Sequence, residues 1–307
     1  MDVRGTKRTL QVVALLAAIG LGAAWFFCES PTEPRANHDT VAKPPGSGPQ
    51  VPVRKPRGDL KPPLDGKPKD GGNGQETVVD PSLDVSAQIT SWQKVEDLPK
   101  QIAVLRTVFW DPRDTVSLRQ RIRETPLVRD KAVLEIGTGS GVLSLCCLQA
   151  GASRVVATDV NPSAIANAGY NAQILGVRDR LELRLVPLDH PDAFSVVKPT
   201  ERFDLIVSNP PWEDSEPVSI DDYAFYDSGF RLMRSLMEGL NQHLKPGGRA
   251  LLAYGSVSAI KTLQQLASEH HVAVKILDDR SIDRLPAVFL PGMLLELVPQ
   301  RQRTADE

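Results

Sequence analysis

From about residue 81 the chain alternates short apolar runs with stretches of helical period. Strand-type runs fall at Ala132–Ile136, Arg154–Asp159, Leu181–Val186, Phe203–Ser208, Arg249–Tyr254, Val272–Leu277 and Met293–Val298. Amphipathic stretches lie between them at Gly141–Ala150, Pro162–Leu175, Tyr223–Leu244 and Ser256–His270. This alternation predicts parallel strands joined by crossover helices, hence an α/β fold with a doubly wound, mostly parallel seven-stranded sheet. Asn161-Pro162 reads as a helix start, with Asn as cap and Pro in the first turn. Lys245-Pro-Gly-Gly248 reads as a helix stop ahead of a strand.

The first 80 residues follow a different pattern. Residues 1–8 carry Arg4, Lys7 and Arg8, and an uncharged run follows from Thr9 to Cys28. A run of about 20 such residues is long enough to span a bilayer as a helix, and Trp25 suits the interface end. A cleaved signal peptide has the same basic flank and apolar core. The exit Trp25-Phe-Phe-Cys28 lacks a small-x-small cleavage pattern, and it lacks the small residue that precedes the Cys of a lipobox. An uncleaved anchor over 9–28 is therefore the expectation. Residues 29–80 read as a disordered linker. Ten of the 25 prolines fall between Pro31 and Pro68, among few large apolar residues, so ordering entropy outweighs burial there. The globular part is then 81–307.

Composition narrows the chemistry. The full chain carries a formal charge of −2, and after Asp80 there are 25 Lys and Arg against 29 Asp and Glu. That balance disfavours long nucleic acid as a partner, because such binding rests on phosphate neutralisation. The three cysteines, with Cys146 and Cys147 adjacent, suit reduced thiols rather than a disulfide framework. None of the five histidines has metal-site spacing, so no metal is expected.

The densest signal is Val133-Leu-Glu-Ile-Gly-Thr-Gly-Ser-Gly141, an apolar strand that breaks into glycines at alternate positions before a helix resumes. Glu135, Gly137, Gly139 and Gly141 belong at the strand's carboxyl end, where open α/β sheets bind ligands. A dinucleotide site is the rival, although Val142 stands where the last glycine of Gly-x-Gly-x-x-Gly would fall. Asp159 ends the next strand, where a carboxylate can accept hydrogen bonds from ribose hydroxyls under either reading. Asn209-Pro-Pro-Trp212 closes a later apolar run, and a nicotinamide enzyme has no use for that motif.

Together these motifs resemble the class I S-adenosylmethionine-dependent methyltransferases, within them the branch that methylates planar nitrogens. The similarity runs from about Val108 to Val298. It implies a Rossmann-like sheet with a reversed seventh strand, and S-adenosyl-L-methionine held by Glu135, the three glycines, Asp159, Asp189 near the adenine amine, and Asn209. It also implies catalytic roles for Asn209, Pro210 and Trp212. The Asn oxygen and the Pro210 carbonyl accept hydrogen bonds from a target NH₂ group, and Trp212 stacks on the planar target. Phe109-Trp-Asp-Pro112-Arg-Asp114-Thr115 is similar to the Pro-x-x-Asp-Thr/Ser segment of HemK-type protein-glutamine methyltransferases, but is one residue short between Pro112 and Asp114. A helix start with Asp114 as cap explains the same residues.

A protein glutamine and a nucleobase amine both offer a planar acceptor, and charge favours a protein or small-molecule acceptor, with protein glutamine first. A NAD-dependent oxidoreductase and a non-catalytic binding module are the alternatives of other classes. Arg4, Lys7 and Arg8 before the apolar run slightly outnumber Arg35 and Lys43 after it, which would put the domain outside. The cofactor is made in the cytosol. The expectation is a single-pass membrane protein whose enzyme domain faces the cytoplasm, the alternative being a secreted or periplasmic domain after cleavage.

Overall fold

The computed structural model describes residues 85–300, all within one of the two units into which the chain divides, Asp70–Glu307. The expected anchor and linker lie outside the described residues. Among the described residues no helix is long and apolar enough to cross a membrane.

A short antiparallel hairpin comes first, β1 (Ile89–Gln93) with β2 (Ile102–Leu105), followed by α1 (Val116–Glu124). The large sheet contains β3 (Ala132–Ile136), β4 (Arg154–Asp159), β5 (Leu181–Leu185), β6 (Phe203–Ser208), β7 (Leu244–Ser256), β8 (Val272–Ile276) and β9 (Val288–Pro299). Its helices are α2 (Val142–Gln149), α3 (Pro162–Ile174), α4 (Arg231–His243) and α5 (Val257–Glu269). The strand order is β5-β4-β3-β6-β7-β9-β8, and β9 runs antiparallel to both neighbours. This is the seven-stranded Rossmann-like sheet with its last strand reversed.

Every residue of β3 is buried, and successive side chains enter opposite cores as strand pleating requires. Leu134 and Ile136 join a core with Met233, Leu236 and Leu240 of α4 and Ile260 and Leu263 of α5. Val133 joins a second core with Leu118 and Ile122 of α1 and Leu145 and Leu148 of α2. Helices thus cover both faces. Cys146 and Cys147 are free and buried on α2, and burial raises both thiols, Cys146 to about 12.

The hairpin was not anticipated, and α1 only as a helix start near Asp114. β2 is fixed by two fully buried asparagines of α3. Asn167 Oδ1 accepts from the Leu105 N–H at 3.0 Å, and Asn171 Oδ1 accepts from the Ala103 N–H at 2.8 Å. Both Nδ2 groups donate to the Ala103 carbonyl, and Asn171 Nδ2 also reaches the Ser140 carbonyl at 2.9 Å. These carboxamides supply partners that β2's backbone would otherwise lack on that edge.

Boundaries differ from expectation at α4, β7 and β9, the last beginning at Val288 rather than Met293. The helix expected from Tyr223 begins at Arg231, because Gly229 (φ 61°) and Phe230 (φ 52°) are left-handed and break it. Asp227 then caps α4, its carboxylate accepting from Leu232 N at 2.8 Å and Met233 N at 3.1 Å. The stop at Lys245-Pro-Gly-Gly248 is an irregularity inside β7, which pairs Leu244 with Phe203 and then Arg249 with Leu205.

Candidate active site

A cavity of about 350 Å³ opens at the carboxyl ends of β3, β4 and β6. The glycine turn forms its floor. Gly137, Gly139 and Gly141 all have positive φ, and Gly137 N and Thr138 N donate to the Thr158 carbonyl at 2.9 and 3.0 Å. A Cβ on Gly137 or Gly139 would meet no atom within 4 Å, so the backbone there stays open to a ligand. Gly141 has the opposite requirement: a Cβ would stand 2.9 Å from Ala168 Cα, where α2 and α3 cross.

Two carboxylates flank the turn. Glu135 is buried, and its Oε2 accepts from Thr138 Oγ1 at 2.7 Å, from Ser144 N at 3.1 Å and from Ser144 Oγ. Burial pushes its pKa up to about 7, with the Ser144 and Thr138 hydrogen bonds opposing the shift. Asp159 accepts from Gly139 N at 2.9 Å and Asn161 N at 2.8 Å, tying the turn to the end of β4. Burial raises the Asp159 pKa, and these backbone bonds oppose it. The expected cap is present: Asn161 Oδ1 accepts from Ser163 N at 2.9 Å. Asn161 Nδ2 donates to the carbonyl of Thr107, a β-branched residue held at φ 67° on the cavity wall.

The Asn209-Pro-Pro-Trp212 turn closes the opposite side. Asn209 and Pro211 line the cavity, whereas Pro210 is buried. Asn209 Oδ1 is buried without a hydrogen-bond partner. Such an atom carries a desolvation cost unless something in the working enzyme satisfies it. The chain then returns upon itself, with Trp212 N and Glu213 N both donating to the Phe225 carbonyl at 3.2 and 3.1 Å. Phe109 meets Phe225 edge-on at 5.1 Å, joining the segment before α1 to this loop.

Three expectations need correction. Trp212 does not present its ring to the cavity: the indole packs on the α4–α5 core and against Gly255 of β7, its Nε1 buried and unpartnered. Asp189 is exposed and outside the cavity lining, to which Leu188 and Asp192 contribute instead. Asp114 does not cap α1, which follows Thr115 without a side-chain cap. It is buried near the Asn209 side chain. Burial and then the charge of Asp111 raise the Asp114 pKa to about 6, against the lowering effect of Asn209. Asp227, also on the cavity wall, carried no sequence signal beyond its place ahead of a helical pattern.

A turn of glycines left open, a buried acid on one side and a half-buried one on the other, and an acceptor oxygen without a donor suit a cationic, ribose-bearing ligand beside a target NH₂ group. With the reversed strand in the sheet, they define a class I S-adenosylmethionine-dependent methyltransferase. Residues 115–210 match the family model described as ribosomal protein L11 methyltransferase (PrmA). The release factor glutamine methyltransferase of Cereibacter sphaeroides is 36% identical over 209 residues, 60% of this chain and 72% of that protein. Its namesake from Clostridium acetobutylicum is 31% identical over 218 residues, 66% of this chain and 74% of that one. The ribosomal protein L11 methyltransferase of Salmonella arizonae is 35% identical over 127 residues, 39% of each chain. The chain belongs to the family of the release factor glutamine methyltransferases, the HemK type. It is an enzyme that uses S-adenosyl-L-methionine, and the dinucleotide alternative falls away.

Proposed function

We propose that the chain methylates the side-chain amide nitrogen of a glutamine in a protein. The observation that carries this reading is Asn209 Oδ1, buried at the cavity with no partner. A primary carboxamide supplies the missing N–H donor. Two of the relatives are named for glutamine methylation.

Gly137, Gly139 and Gly141 shape the cofactor's bed, Glu135 faces its ammonium group, and Asp159 takes ribose hydroxyls. When bound, S-adenosylmethionine supplies an electrophilic methyl on a sulfonium. The C–S bond breaks as the N–C bond forms, S-adenosylhomocysteine leaves, and the amide nitrogen loses one proton to water. The Asn209 oxygen orients the nitrogen and stabilises the positive charge that develops on it, so no strong base is required.

The loop from Glu213 to Asp227 borders the cavity and carries six Asp and Glu with no Lys or Arg. That charge repels phosphates and supports a protein acceptor over a nucleobase in RNA or DNA. Incubating the full chain with methyl-tritiated S-adenosylmethionine and a cell extract tests the reading. Mass spectrometry of the labelled protein is expected to find N-methylglutamine; label confined to nucleic acid overturns it.

For location, the reading is a domain tethered through residues 9–28 and facing the cytoplasm. It rests on the uncharged run and on where the cofactor is made. Protease added to intact spheroplasts is expected to leave the domain whole, and digestion without lysis places it outside.

A further inference from the structure

Thr107 stands where a turn ordinarily carries glycine. The Val108 N–H donates to the Leu105 carbonyl at 3.2 Å, closing a four-residue turn between β2 and the cavity wall. Thr107 is the third residue of that turn and has φ 67°. A left-handed third position selects glycine or asparagine, because a Cβ there crowds the following carbonyl. Threonine, branched at Cβ, adopts it only under constraint. What the turn achieves is direction: the residues that follow, Val108 to Pro112, all line the cavity.

The constraint is the side chain of Asn161, a residue 6% exposed. Its Nδ2 donates to the Thr107 carbonyl at 2.9 Å. Its Oδ1 accepts from Ser163 N at 2.9 Å at the start of α3, and its own N–H donates to Asp159 Oδ1 at 2.8 Å. Asp159 Oδ2 in turn accepts from Gly139 N in the glycine turn. One buried residue therefore joins the ribose-binding carboxylate, the start of α3 and the strained turn. Capping alone requires only an acceptor, which serine supplies as well as asparagine does. The donor end of the carboxamide is surplus to the cap, and Thr107 uses it.

Resting on the cofactor site proposed above, we infer that Asn161 is a positioning residue for S-adenosylmethionine: its carboxamide holds Thr107 left-handed and so sets the Val108–Pro112 wall against the ribose end of the cofactor. Without that bond Thr107 relaxes to negative φ, the Val108 N–H leaves the Leu105 carbonyl, and the wall no longer follows the cavity. Asn161 acts through Thr107 and touches no part of the cofactor.

The test uses the full-length protein and Asn161→Ser, which keeps an acceptor for Ser163 N but is too short to reach Thr107. In the unliganded variant, amide exchange at Val108 is expected to quicken about tenfold, as for loss of one buried hydrogen bond, while exchange along α3 stays as in the wild type. Calorimetry with S-adenosylhomocysteine is expected to show affinity weakened by about tenfold. Thr107→Gly removes the strain, since glycine enters the left-handed region freely. In that background the loss caused by Asn161→Ser is expected to shrink below about threefold, a coupling that general damage to α3 would not produce. Unchanged exchange at Val108 overturns the inference. So does an equal loss of affinity in both backgrounds, which would mean that the carboxamide contacts the cofactor itself. Neither readout involves an acceptor, so a failure to methylate glutamine leaves both untouched.

Discussion

The Trp212 indole occupies the space that any side chain on Gly255 would need: a Cβ there would stand 2.4 Å from Trp212 Cη2 and 2.6 Å from the Phe289 carbonyl oxygen. The backbone carbonyl cannot yield, so Gly255→Ala must displace the ring or β9. We expect a loss of about 1–3 kcal/mol in urea unfolding, the usual range for overpacking. Turnover should fall with it, because the displaced ring belongs to the turn that holds Asn209.

Asn209→Ala removes the oxygen that anchors the acceptor and leaves the glycine turn intact. Calorimetry should show cofactor affinity nearly unchanged, while turnover falls by at least about a hundredfold, as for loss of one aimed polar group. Loss of cofactor binding with turnover kept at saturation would contradict the assigned role.

Gly141→Ala combines a left-handed backbone, φ 85°, with a 2.9 Å approach to Ala168. Strain of about 1–3 kcal/mol at this position should lower both stability and cofactor affinity. Gly137→Ala carries the same left-handed strain, φ 73°, but meets no neighbour, so the difference in stability between the two variants measures the Ala168 contact.

Asn171→Ala strips a partner from the Ala103 N–H and from the Ser140 carbonyl at once. Leaving buried backbone groups unpaired costs about 1–3 kcal/mol. Hydrogen exchange should speed at Ala103, and the loosened glycine turn should weaken cofactor binding.

Glu135 gives a pH dependence whose sign is fixed. Its folded pKa of about 7 exceeds the ordinary 4.5, so between those values the folded chain holds more protons than the unfolded one. The stability this contributes is present at low pH and is lost as pH rises through 7. Urea midpoints from pH 5 to 8 should fall more steeply for the wild type than for Glu135→Gln. Cofactor affinity should move the opposite way, rising as Glu135 ionises beside an ammonium group.

Strands β3, β4 and β6 match the apolar runs residue for residue, because central parallel strands buried on both faces read as unbroken apolar sequence. β1 escaped notice because Ile-Thr-Ser-Trp-Gln offers only one short alternation. β2 is four residues held in place by side-chain amides on another helix, an arrangement that leaves no mark in the strand's own sequence. The start of α4 was misplaced because helical spacing continues through Gly229, whose left-handed backbone no periodicity reports. The place of Glu135, Asp159 and Asn209 on the cavity was legible since each lies at or beside a strand end at the sheet's ligand edge. Trp212 was misjudged because a motif specifies residue type and not the direction of a ring. That direction is set by Gly255, more than forty positions later.

The hairpin pairs Ile89 with Leu105, so its open end sits two residues before Thr107 on the cavity wall. Any pull on the chain ahead of Ser86 therefore meets β1 in a peeling direction, one hydrogen-bonded rung at a time, starting from the Arg106 N–H to Gln88 carbonyl bond. Peeling needs far less force than shearing a whole ladder. β2 would keep its grip on α3 through Asn167 and Asn171 while β1 came away. A load applied ahead of the hairpin is therefore expected to open β1 before β2 leaves α3.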